Sequence, residues 1–505
     1  MPKRPSSATL YENLRSVSKR TTILSSIAHL LEWDQETYMP SDGIQLRLEQ
    51  MKMISHLIHS SATGKTFSNA LTKLIDLRTA KVKRKGLTPS QCAALREWLK
   101  EWRRGSKLPT AFVTRLSETT THASYVWKDA KEHNDFKTFA PHLETIVSLL
   151  RKKADLLGYG DHPYDALLSH YEADLTISFL SPIFVRLKSA LKQLLQRILN
   201  KPKPAHRFLH AHCPKKKQLE LSQFLLDHMG LRPEASRLDL SAHPFCSSLY
   251  PLDTRLTTLV YEENVLQTLF AVLHEGGHAL YSMGLPLEHF GSPLCETISL
   301  GIDESQSRFW ETCIGQSRPF WTWFFPHLQK IFPSAFDSIH FEDFMRALHH
   351  VEPHPIRIEA DEVTYNLHIL LRFELEQGLI DGSIAVQDIP YLWDKKMGEF
   401  LGITPQWDSE GCLQDIHWAI GAIGYFPTYT LGNLYAAQFM EAFVRAHPNW
   451  EARVSTGDLS FIRAWLLENI HRHGKRYSAS ELCKRITGKP LSERPFIQYL
   501  EKKYA

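Results

Sequence analysis

The residues from Tyr261 to Met283 constrain this chain more than any other stretch, because their pattern predicts one long helix that carries reactive side chains. His274 and His278 are four residues apart, so they lie about one turn apart on the same helical face. Two imidazoles at this spacing can grip one metal ion, while Glu275 beside them reaches a metal-bound water. Apolar residues at helical spacing indicate that the helix packs against a core.

The H-E-x-x-H motif alone is weak evidence. The chain has 26 histidines, and a buried helix with ordinary core histidines is the alternative. Gly276 and Gly277 each cost roughly 1 kcal/mol relative to Ala in a helix interior. Such a loss is tolerable where another group must approach the backbone closely. The metal hypothesis therefore depends on a third ligand.

The predicted helix Cys295–Ile314 offers this third ligand, and its acids are Glu296, Asp303, Glu304 and Glu311. Glu304 follows His278 by 26 residues, which is enough for a loop and an antiparallel return. Arg308, four residues later, is placed to hold its carboxylate. Spacing favours Glu304 and leaves Glu296 as the second choice, while solvation at the surface is the ordinary role of any of these acids.

Composition describes a globular protein of ordinary make-up. Of 505 residues, 43% are hydrophobic and 23% charged, and the net charge is only +4, so we expect no nucleic-acid partner. The N-terminus has no apolar signal region, and no apolar run is long enough for a membrane span. The seven cysteines are scattered without a C-x-x-C pair, which is typical of reduced thiols in the cytoplasm.

Helical periodicity recurs along the chain without repeats or linkers, so we predict one domain over residues 1–505, with two lobes around a groove. Short strands are expected within Ser241–Thr258, just before the histidine helix. Four further helices matter below. They are predicted over Thr88–Arg104 with Thr88 as N-cap, Ser181–Leu199 with Ser181 as N-cap, Glu359–Glu376, and Tyr435–Ala446.

Two arginines have acidic partners at short spacing. Asp253 and Arg255 alternate along an extended segment and therefore share one side of it. Arg357 and Asp361 are four residues apart, which in a helix gives an intrahelical pair. A structural ion pair is the ordinary interpretation of both patterns.

A polar and aromatic segment follows near the C-terminal end. His417 lies in GCLQDIHW (411–418), which is polar where a core would be apolar, and Tyr425 and Tyr429 lie in a loop framed by Gly and Pro. Such aromatic loops are often plain packing, but a His and a Tyr after a metal helix are also suited to oxyanion stabilisation.

Together these segments resemble the M32 family of metallocarboxypeptidases, the thermostable carboxypeptidase Taq group. The resemblance extends over nearly the whole chain. The matching segments are LEWDQETYMP (31–40), HPYDALL (162–168), DTRLT (253–257), HEGGHALY (274–281), DESQSR (303–308), IRIEAD (356–361), GCLQDIHW (411–418) and GYFPTYTLGNLYAAQ (424–438). Several long motifs in a fixed order are far more specific than the histidine pair alone.

The resemblance implies a mainly α-helical, neurolysin-like metallopeptidase with a deep central groove, a few short strands and a homodimeric state. It implies release of single residues from peptides with a free C-terminus, using Zn²⁺ or, in some members, Co²⁺. It carries over His274, His278 and Glu304 as ligands and Glu275 as catalytic acid and base. Arg357 first and Arg255 second become candidates for gripping the terminal carboxylate, and His417 and Tyr425 for positions near the scissile carbonyl.

The chain departs from the family pattern at two positions. The family usually has His where this chain has Asp303, and commonly Phe where it has Gly276. An endo-acting oligopeptidase in the same groove and a non-catalytic peptide-binding relative are the alternative functions. Neither departure removes a reacting group, so we expect an active enzyme.

Overall fold

The computed structural model of the chain describes residues 5–504 and is mainly α-helical, as predicted. Residues 1–4, part of the segment in which no secretory signal was recognised, lie outside the described residues. The α-helices of the first half are α1 (Ser7–Thr37), α2 (Ile44–Thr63), α3 (Lys65–Thr72), α4 (Pro89–Lys107), α5 (Thr110–His133), α6 (Phe136–Leu157), α7 (Pro163–Tyr171), α8 (Ile177–Leu199) and α9 (Lys215–Met229).

The second half continues in the same way after a small sheet. Its α-helices are α10 (Val265–Met283), α11 (Leu300–Arg308), α12 (Arg318–Ile331), α13 (Pro333–Phe336), α14 (Phe341–Leu348), α15 (Tyr365–Asp381), α16 (Ile389–Leu401), α17 (Pro427–Ala446), α18 (Trp450–Val454), α19 (Ser460–Asn469), α20 (Ala479–Thr487) and α21 (Arg494–Tyr504). A π-helical turn, Phe309–Ile314, follows α11 directly. No helix within residues 5–504 is both long and apolar enough to cross a membrane.

The sheet has three strands, β1 (Ser236–Leu240), β2 (Cys246–Tyr250) and β3 (Asp253–Thr258), in the order β1-β3-β2. β1 runs parallel to β3, and β2 runs antiparallel to it with Cys246 opposite Leu256. Both β2 and β3 contact α10. The strands expected within residues 241–258 are therefore present beside the histidine helix, whereas β1 was not predicted.

Two large groups of buried apolar side chains form most of the interior, beside a small third one at Ala154, Leu157 and Ala166. The larger group draws its residues from between Ala123 and Leu500, and a smaller one comes from between Leu10 and Leu99, joined by Leu294. Lys475, whose side chain is 22% exposed, connects the two regions, since it lies 3.0 Å from a Glu101 carboxylate oxygen and 2.6 Å from one of Glu296.

Three helices meet at glycines in the larger core. A Cβ atom on Gly277 of α10 would lie 2.5 Å from the carbonyl oxygen of Gln306 in α11. A Cβ atom on Gly432 of α17 would lie 2.2 Å from Cγ of Glu304. Because neither glycine carries a side chain, α11 packs directly against the backbones of α10 and α17.

Several predicted helix boundaries were wrong, because side chains cap the helices at positions that the hydrophobic periodicity does not mark. The helix of Tyr261 begins only at Val265, since Asn264 Oδ1 accepts the Gln267 N–H at 3.2 Å. Ser181 is not an N-cap: α8 begins at Ile177, whose N–H is accepted by Asp165 at 2.7 Å. The predicted Thr88 cap is present and accepts the Gln91 N–H.

Two further boundaries bear on the site. Residues 359–364 are not part of α15, because Asp361 accepts the N–H groups of Val363 and Thr364 and caps the helix after them. α17 begins at Pro427, well before the predicted Tyr435. This helix is buried on nearly every side, so its sequence carries no amphipathic period to mark the start.

We expect Gly277→Ala to destabilise the protein. The new methyl group would press on the α11 backbone, which cannot move aside like a flexible side chain, and such overpacking costs about 1–3 kcal/mol. Differential scanning fluorimetry should record a lower melting temperature.

The matched control is Gly398→Ala in α16, where no atom lies within 4 Å of the new Cβ. There the substitution should be neutral or stabilise by up to roughly 1 kcal/mol. Equal melting temperatures for the two variants would contradict the close contact between α10 and α11.

Candidate active site

The two histidines of α10 and Glu304 of α11 converge on one point. The Glu304 Oε2 atom lies 3.5 Å from His274 Nε2 and 3.6 Å from His278 Nε2. One donor atom from each of the three residues lies within 4.8 Å of the others, and within residues 5–504 no other set of three or more His, Cys, Asp and Glu side chains does so.

This arrangement fits a small divalent metal ion. Separations of 3.5 and 3.6 Å exceed the range of an ordinary hydrogen bond. Two donors that each lie roughly 2.1 Å from a tetrahedral ion are about 3.4 Å apart. Two imidazole nitrogens and one carboxylate oxygen also leave a fourth position open, as in catalytic zinc sites.

The opposite ring nitrogen of each histidine faces a further carboxylate. His274 Nδ1 lies 2.7 Å from Oε2 of Glu311, and His278 Nδ1 lies 3.2 Å from Oδ1 of Asp303. Burial alone would lower the pKa of His274, but Glu304 and then Glu311 raise it to about 9. Glu311 and Asp303 favour the tautomer that carries hydrogen on Nδ1, which leaves the Nε2 lone pair of each ring available to a metal ion.

Arg308 binds both acids that flank His274. Its Nε donates to Glu304 Oε1 at 3.1 Å, which is the contact expected from its position four residues later, and its Nη1 donates to Glu311 Oε2 at 3.1 Å. Burial works against the Glu304 carboxylate, yet His274, His278 and Arg308 hold its pKa well below the usual range.

Glu296, the second choice for the third ligand, is elsewhere. Its carboxylate is paired with Lys475, and it is not part of the group around the histidines. Helix α11 begins only at Leu300, so Glu296 precedes the helix that carries Glu304. Spacing in the sequence favoured Glu304 but kept Glu296 as an alternative. In the fold, the start of α11 at Leu300 decides between them, because it leaves Glu296 outside the helix.

Glu275 lies between the two histidines in sequence and is 7% exposed. Burial raises the pKa of its carboxyl group, partly offset by the two neighbouring histidines. Cys246 at the start of β2 is close to the same acids: burial first, and then Glu275 and Asp303, raise the pKa of its thiol. The sheet therefore borders the histidine side of the site.

A second charged group surrounds Asp415. Arg357 donates from Nε and Nη2 to Asp415 Oδ1 at 3.1 and 2.8 Å, and from Nη1 to the Tyr365 hydroxyl at 3.0 Å. Arg372, which is fully buried, lies 2.6 Å from the other oxygen of Asp415. Burial would raise the pKa of Asp415, but the two arginines hold it well below its usual range. Among residues 5–504, Asp415 is the one carboxylate within ion-pair distance of these two guanidinium groups. The next acid is the buried Glu376, one turn after Arg372 on α15; burial raises its pKa to about 7, partly offset by its hydrogen bonds and by the charge of Arg372.

The expected intrahelical pair of Arg357 and Asp361 does not form. Arg357 lies in a 3₁₀ turn, Arg357–Glu359, and turns toward Asp415 instead. Arg372, the second arginine of this group, was missed because an arginine in a helical pattern gives no sign of full burial. Its position in α15, seven residues after Tyr365, was the available signal.

Four aromatic and imidazole rings form a cluster between the two charged groups. His417 Nε2 is 3.2 Å from the Tyr429 hydroxyl, and the ring centres of Tyr425 and Tyr429 are 5.3 Å apart. The Arg357 guanidinium lies 5.0 Å from the Tyr429 ring centre, and Tyr365 packs edge-on to the same ring. The sequence interpretation placed Tyr425 and Tyr429 in one loop and took only Tyr425 as a site candidate, whereas Tyr429 lies in the first turn of α17.

The ionisation of these groups follows from burial. Burial lowers the pKa of His417 to about 4, so the ring is neutral near pH 7. Burial, followed by the charge of Glu304, raises the pKa of Tyr425 to about 12. Both hydroxyl and imidazole therefore remain uncharged and able to form hydrogen bonds at neutral pH.

Arg255 forms the structural pair that its sequence pattern allowed. Its Nε and Nη2 donate to the two oxygens of Asp253 at 3.0 and 3.1 Å, and its guanidinium lies 4.3 Å from the Trp33 ring centre. These contacts join β3 to α1.

The glycine at position 276 points away from the histidines. A Cβ there would lie 2.7 Å from Met229 Cε and 3.1 Å from Leu226 Cδ2, both on α9. These side chains fill the space that a larger residue at position 276 would need. The departure is thus compensated by α9 and removes nothing from the site.

The chain is similar to known proteins over nearly its whole length. The family model described as carboxypeptidase Taq (M32) metallopeptidase matches residues 13–504. Thermostable carboxypeptidase 1 of Thermus thermophilus is 40% identical over 98% of both chains. Carboxypeptidase 1 of Bacillus subtilis is 36% identical over 96% of both. The crystal structure of the M32 carboxypeptidase from Deinococcus radiodurans R1 superposes with a TM-score of 0.95 at 32% identity, over 98% of this chain and 99% of that one.

A mainly helical fold with a His, His and Glu group defines a metallopeptidase scaffold. The chain belongs to the carboxypeptidase Taq (M32) family of metallopeptidases. It is a metal-dependent carboxypeptidase, it acts on peptides, and it uses a divalent metal ion.

We expect Asp415→Asn to destabilise the fold strongly, because it leaves two buried arginines without an anion. Breaking a buried ion pair by removing one partner costs about 3–5 kcal/mol. The melting temperature and the denaturant midpoint should both fall.

The same substitution at an exposed pair is the control. Asp343 pairs with Arg346 on the surface of α14, where both side chains are about half exposed or more. Asp343→Asn should cost at most about 1 kcal/mol. If Asp415→Asn were equally mild, Asp415 would not be the principal anion for the two arginines.

Proposed function

We propose that His274, His278 and Glu304 bind the divalent ion, that this ion is Zn²⁺, and that Co²⁺ can replace it. The support is the separation of 3.5 and 3.6 Å between Glu304 Oε2 and the two Nε2 atoms. The donor set, two nitrogens and one oxygen, is one that zinc accepts while keeping a position open for water or substrate.

Glu275 is the proposed general base and acid. A divalent ion at this site supplies Lewis acidity, which lowers the pKa of a water molecule toward about 7 and polarises a peptide carbonyl. Glu275 takes the proton of the attacking water and delivers it to the leaving amine. Burial raises the pKa of Glu275 toward the range in which one carboxyl group can serve in both roles.

Tyr425 and His417 are proposed to stabilise the negative charge that develops on the scissile carbonyl oxygen. The charge of Glu304 contributes to the raised pKa of Tyr425, whereas the pKa of His417 depends on burial, Asp415 and the two arginines. Its phenol keeps the proton and can donate it in a hydrogen bond. His417 is neutral and contacts Tyr429, so it can orient the tyrosines as well as bind substrate.

The observation that best supports cleavage at the C-terminus is the unequal charge around Asp415. Two buried arginines share one carboxylate, so the group retains a positive charge in a poorly hydrated place, which favours a second anion. The terminal carboxylate of a peptide is such an anion. Arg357, at 7% exposed against none for Arg372, is the proposed contact, and paired N–H donors would fix the last peptide bond near the metal.

The alternative functions explain less. An endo-acting oligopeptidase does not bind a free C-terminal carboxylate, so that function leaves the buried cationic site unexplained. A non-catalytic relative needs no proton acceptor, so that function leaves Glu275 beside the two histidines unexplained. Arg255 is the second candidate for the terminal carboxylate, and Asp253 occupies the edge of its guanidinium formed by Nε and Nη2.

We expect Glu275→Gln to retain the metal and to lose at least about 100-fold in kcat, because the ligand atoms stay while the proton acceptor is lost. Metal content by plasma mass spectrometry and hydrolysis of an N-blocked tripeptide measure the two effects. Glu263→Gln, an exposed carboxylate just before α10, is the control and should leave both unchanged. Wild-type turnover in Glu275→Gln would remove Glu275 from the mechanism.

A peptide with a free C-terminus and its C-amidated twin test the carboxylate clamp. The wild-type enzyme should release single residues from the free peptide only, as followed by mass spectrometry. Arg357→Lys should raise KM for the free peptide roughly 10- to 100-fold, because lysine cannot form the bidentate pair.

Arg255→Lys is the matched control and should leave KM nearly unchanged. The opposite ranking of the two variants would assign the clamp to Arg255. Internal cleavage of both peptides by the wild-type protein would instead favour the oligopeptidase.

We further propose a single domain of two lobes, a homodimer and a cytoplasmic location. The first rests on the two apolar groups joined through Lys475, and the second on the family resemblance. The third is supported by the seven cysteines, all unpaired in the part of the chain that the structure describes. Light scattering after gel filtration would give the mass, cell fractionation would give the compartment, and one calorimetric transition would support a single domain.

A further inference from the structure

The two histidines of the ligand group are supported unequally. Glu311, which faces His274, is itself held by Arg308. Asp303, which faces His278, has no such cation: its Oδ1 and the His278 Nδ1 lie 3.2 Å apart, and neither atom has an aligned hydrogen-bond partner among the described residues. The two atoms therefore lie in contact, and each is available to the other for a hydrogen bond.

We propose that Asp303 is a positioning residue that holds His278 in its ligating orientation and thereby sets the affinity of the site for its divalent ion. This inference rests on the ligand set proposed above. Asp303 does not act as a ligand itself, because it faces Nδ1 on the far side of the ring from the Nε2 atom that approaches Glu304.

Geometry gives the first reason. A neutral imidazole can carry its hydrogen on either nitrogen, and only the form with hydrogen on Nδ1 presents Nε2 to a metal. A carboxylate at Nδ1 selects that form and limits rotation of the ring. Where a metal-binding histidine is supported in this way, removing the supporting group typically weakens the metal affinity of the site about 10- to 100-fold.

Charge gives the second reason. Four carboxylates, those of Glu275, Asp303, Glu304 and Glu311, lie around the histidines, and Arg308 is the cation that pairs with two of them. The group therefore carries more negative than positive charge before an ion binds. Asp303 adds to the attraction for a divalent cation in a poorly hydrated place, where charges are screened little.

A purely structural role is the competing explanation. Asp303 lies in the first turn of α11, where a negative charge is favourable at a helix N-terminus. The same helix is capped by Ser299, which accepts the Ile302 N–H at 3.2 Å. Ser299→Ala weakens the start of α11 and leaves Asp303 in place, so it separates helix stability from metal affinity.

The first experiment measures the dissociation constant for Zn²⁺ of metal-free protein by competition with a chromophoric chelator. Asp303→Asn, which keeps the size of the side chain, should weaken binding about 10- to 100-fold. Asp303→Glu should recover part of this loss, and Ser299→Ala should lower the melting temperature but leave the dissociation constant within twofold of the wild type. Equal loss in Asp303→Asn and Ser299→Ala would overturn the proposal in favour of the structural role.

The second experiment observes the histidine directly. Proton NMR of the Co²⁺-loaded protein should reveal two exchangeable, strongly shifted N–H signals, one for each coordinated imidazole. In Asp303→Asn one signal should shift or exchange faster with water, while the other should stay. Two unaltered signals would contradict a contact between Asp303 and His278.

His278→Ala distinguishes failure of this inference from failure of the ligand set. If His278→Ala loses the metal while Asp303→Asn binds it within twofold of the wild type, Asp303 has no positioning role and the ligand set stands. If both variants bind Zn²⁺ like the wild type, the ligand set is wrong, and the role of Asp303 falls with it.

Discussion

The direct contact of three helices at two glycines is the constraint on which the site depends. Gly277 brings the α10 backbone against α11, and Gly432 brings α17 against the Glu304 side chain from the other side. The carboxylate of Glu304 is thereby held between α10 and α17, and it lies at nearly equal distances from the two Nε2 atoms. A larger residue at either glycine would move α11 away from the histidines. Burial of a negative group is tolerable here because imidazoles and a guanidinium surround it.

Two buried groups of opposite charge follow from this packing. The group around the histidines has more carboxylates than cations, whereas the group around Asp415 has two arginines for one carboxylate. Isolated charges of this kind are costly in a protein interior, so each group is more stable when it holds an ion of the opposite sign. A divalent metal suits the first group and a peptide carboxylate suits the second. The end of a peptide chain, with its last carbonyl and its free carboxylate, is complementary to both together.

Sequence reasoning found the parts of this site that are local and missed those that depend on tertiary contacts. Helical spacing alone places the histidine pair, Glu275 and Arg308, and these residues do lie in helices in the structure. The sequence favoured Glu304 but could not exclude Glu296 as the third ligand, because the start of α11 is set by the Ser299 cap. The spacing of Arg357 and Asp361 suggested an intrahelical pair, but Asp361 caps α15 from outside, and Arg372 gave no sign of burial. The start of α17 was hidden because a helix buried on nearly every side has no polar face.

Tyr365 shows why the two charged groups act at a fixed separation. Its ring lies 4.8 Å from the Arg308 guanidinium, which holds Glu304 and Glu311, and its hydroxyl accepts a hydrogen bond from Arg357 at 3.0 Å. One rigid side chain at the start of α15 therefore contacts the cation of the first group and the cation of the second. Because an aromatic side chain has only two rotatable bonds, it fixes this distance better than a long flexible residue would. A carboxypeptidase needs such a fixed distance, since the bond it cleaves is defined by its separation from the end of the chain.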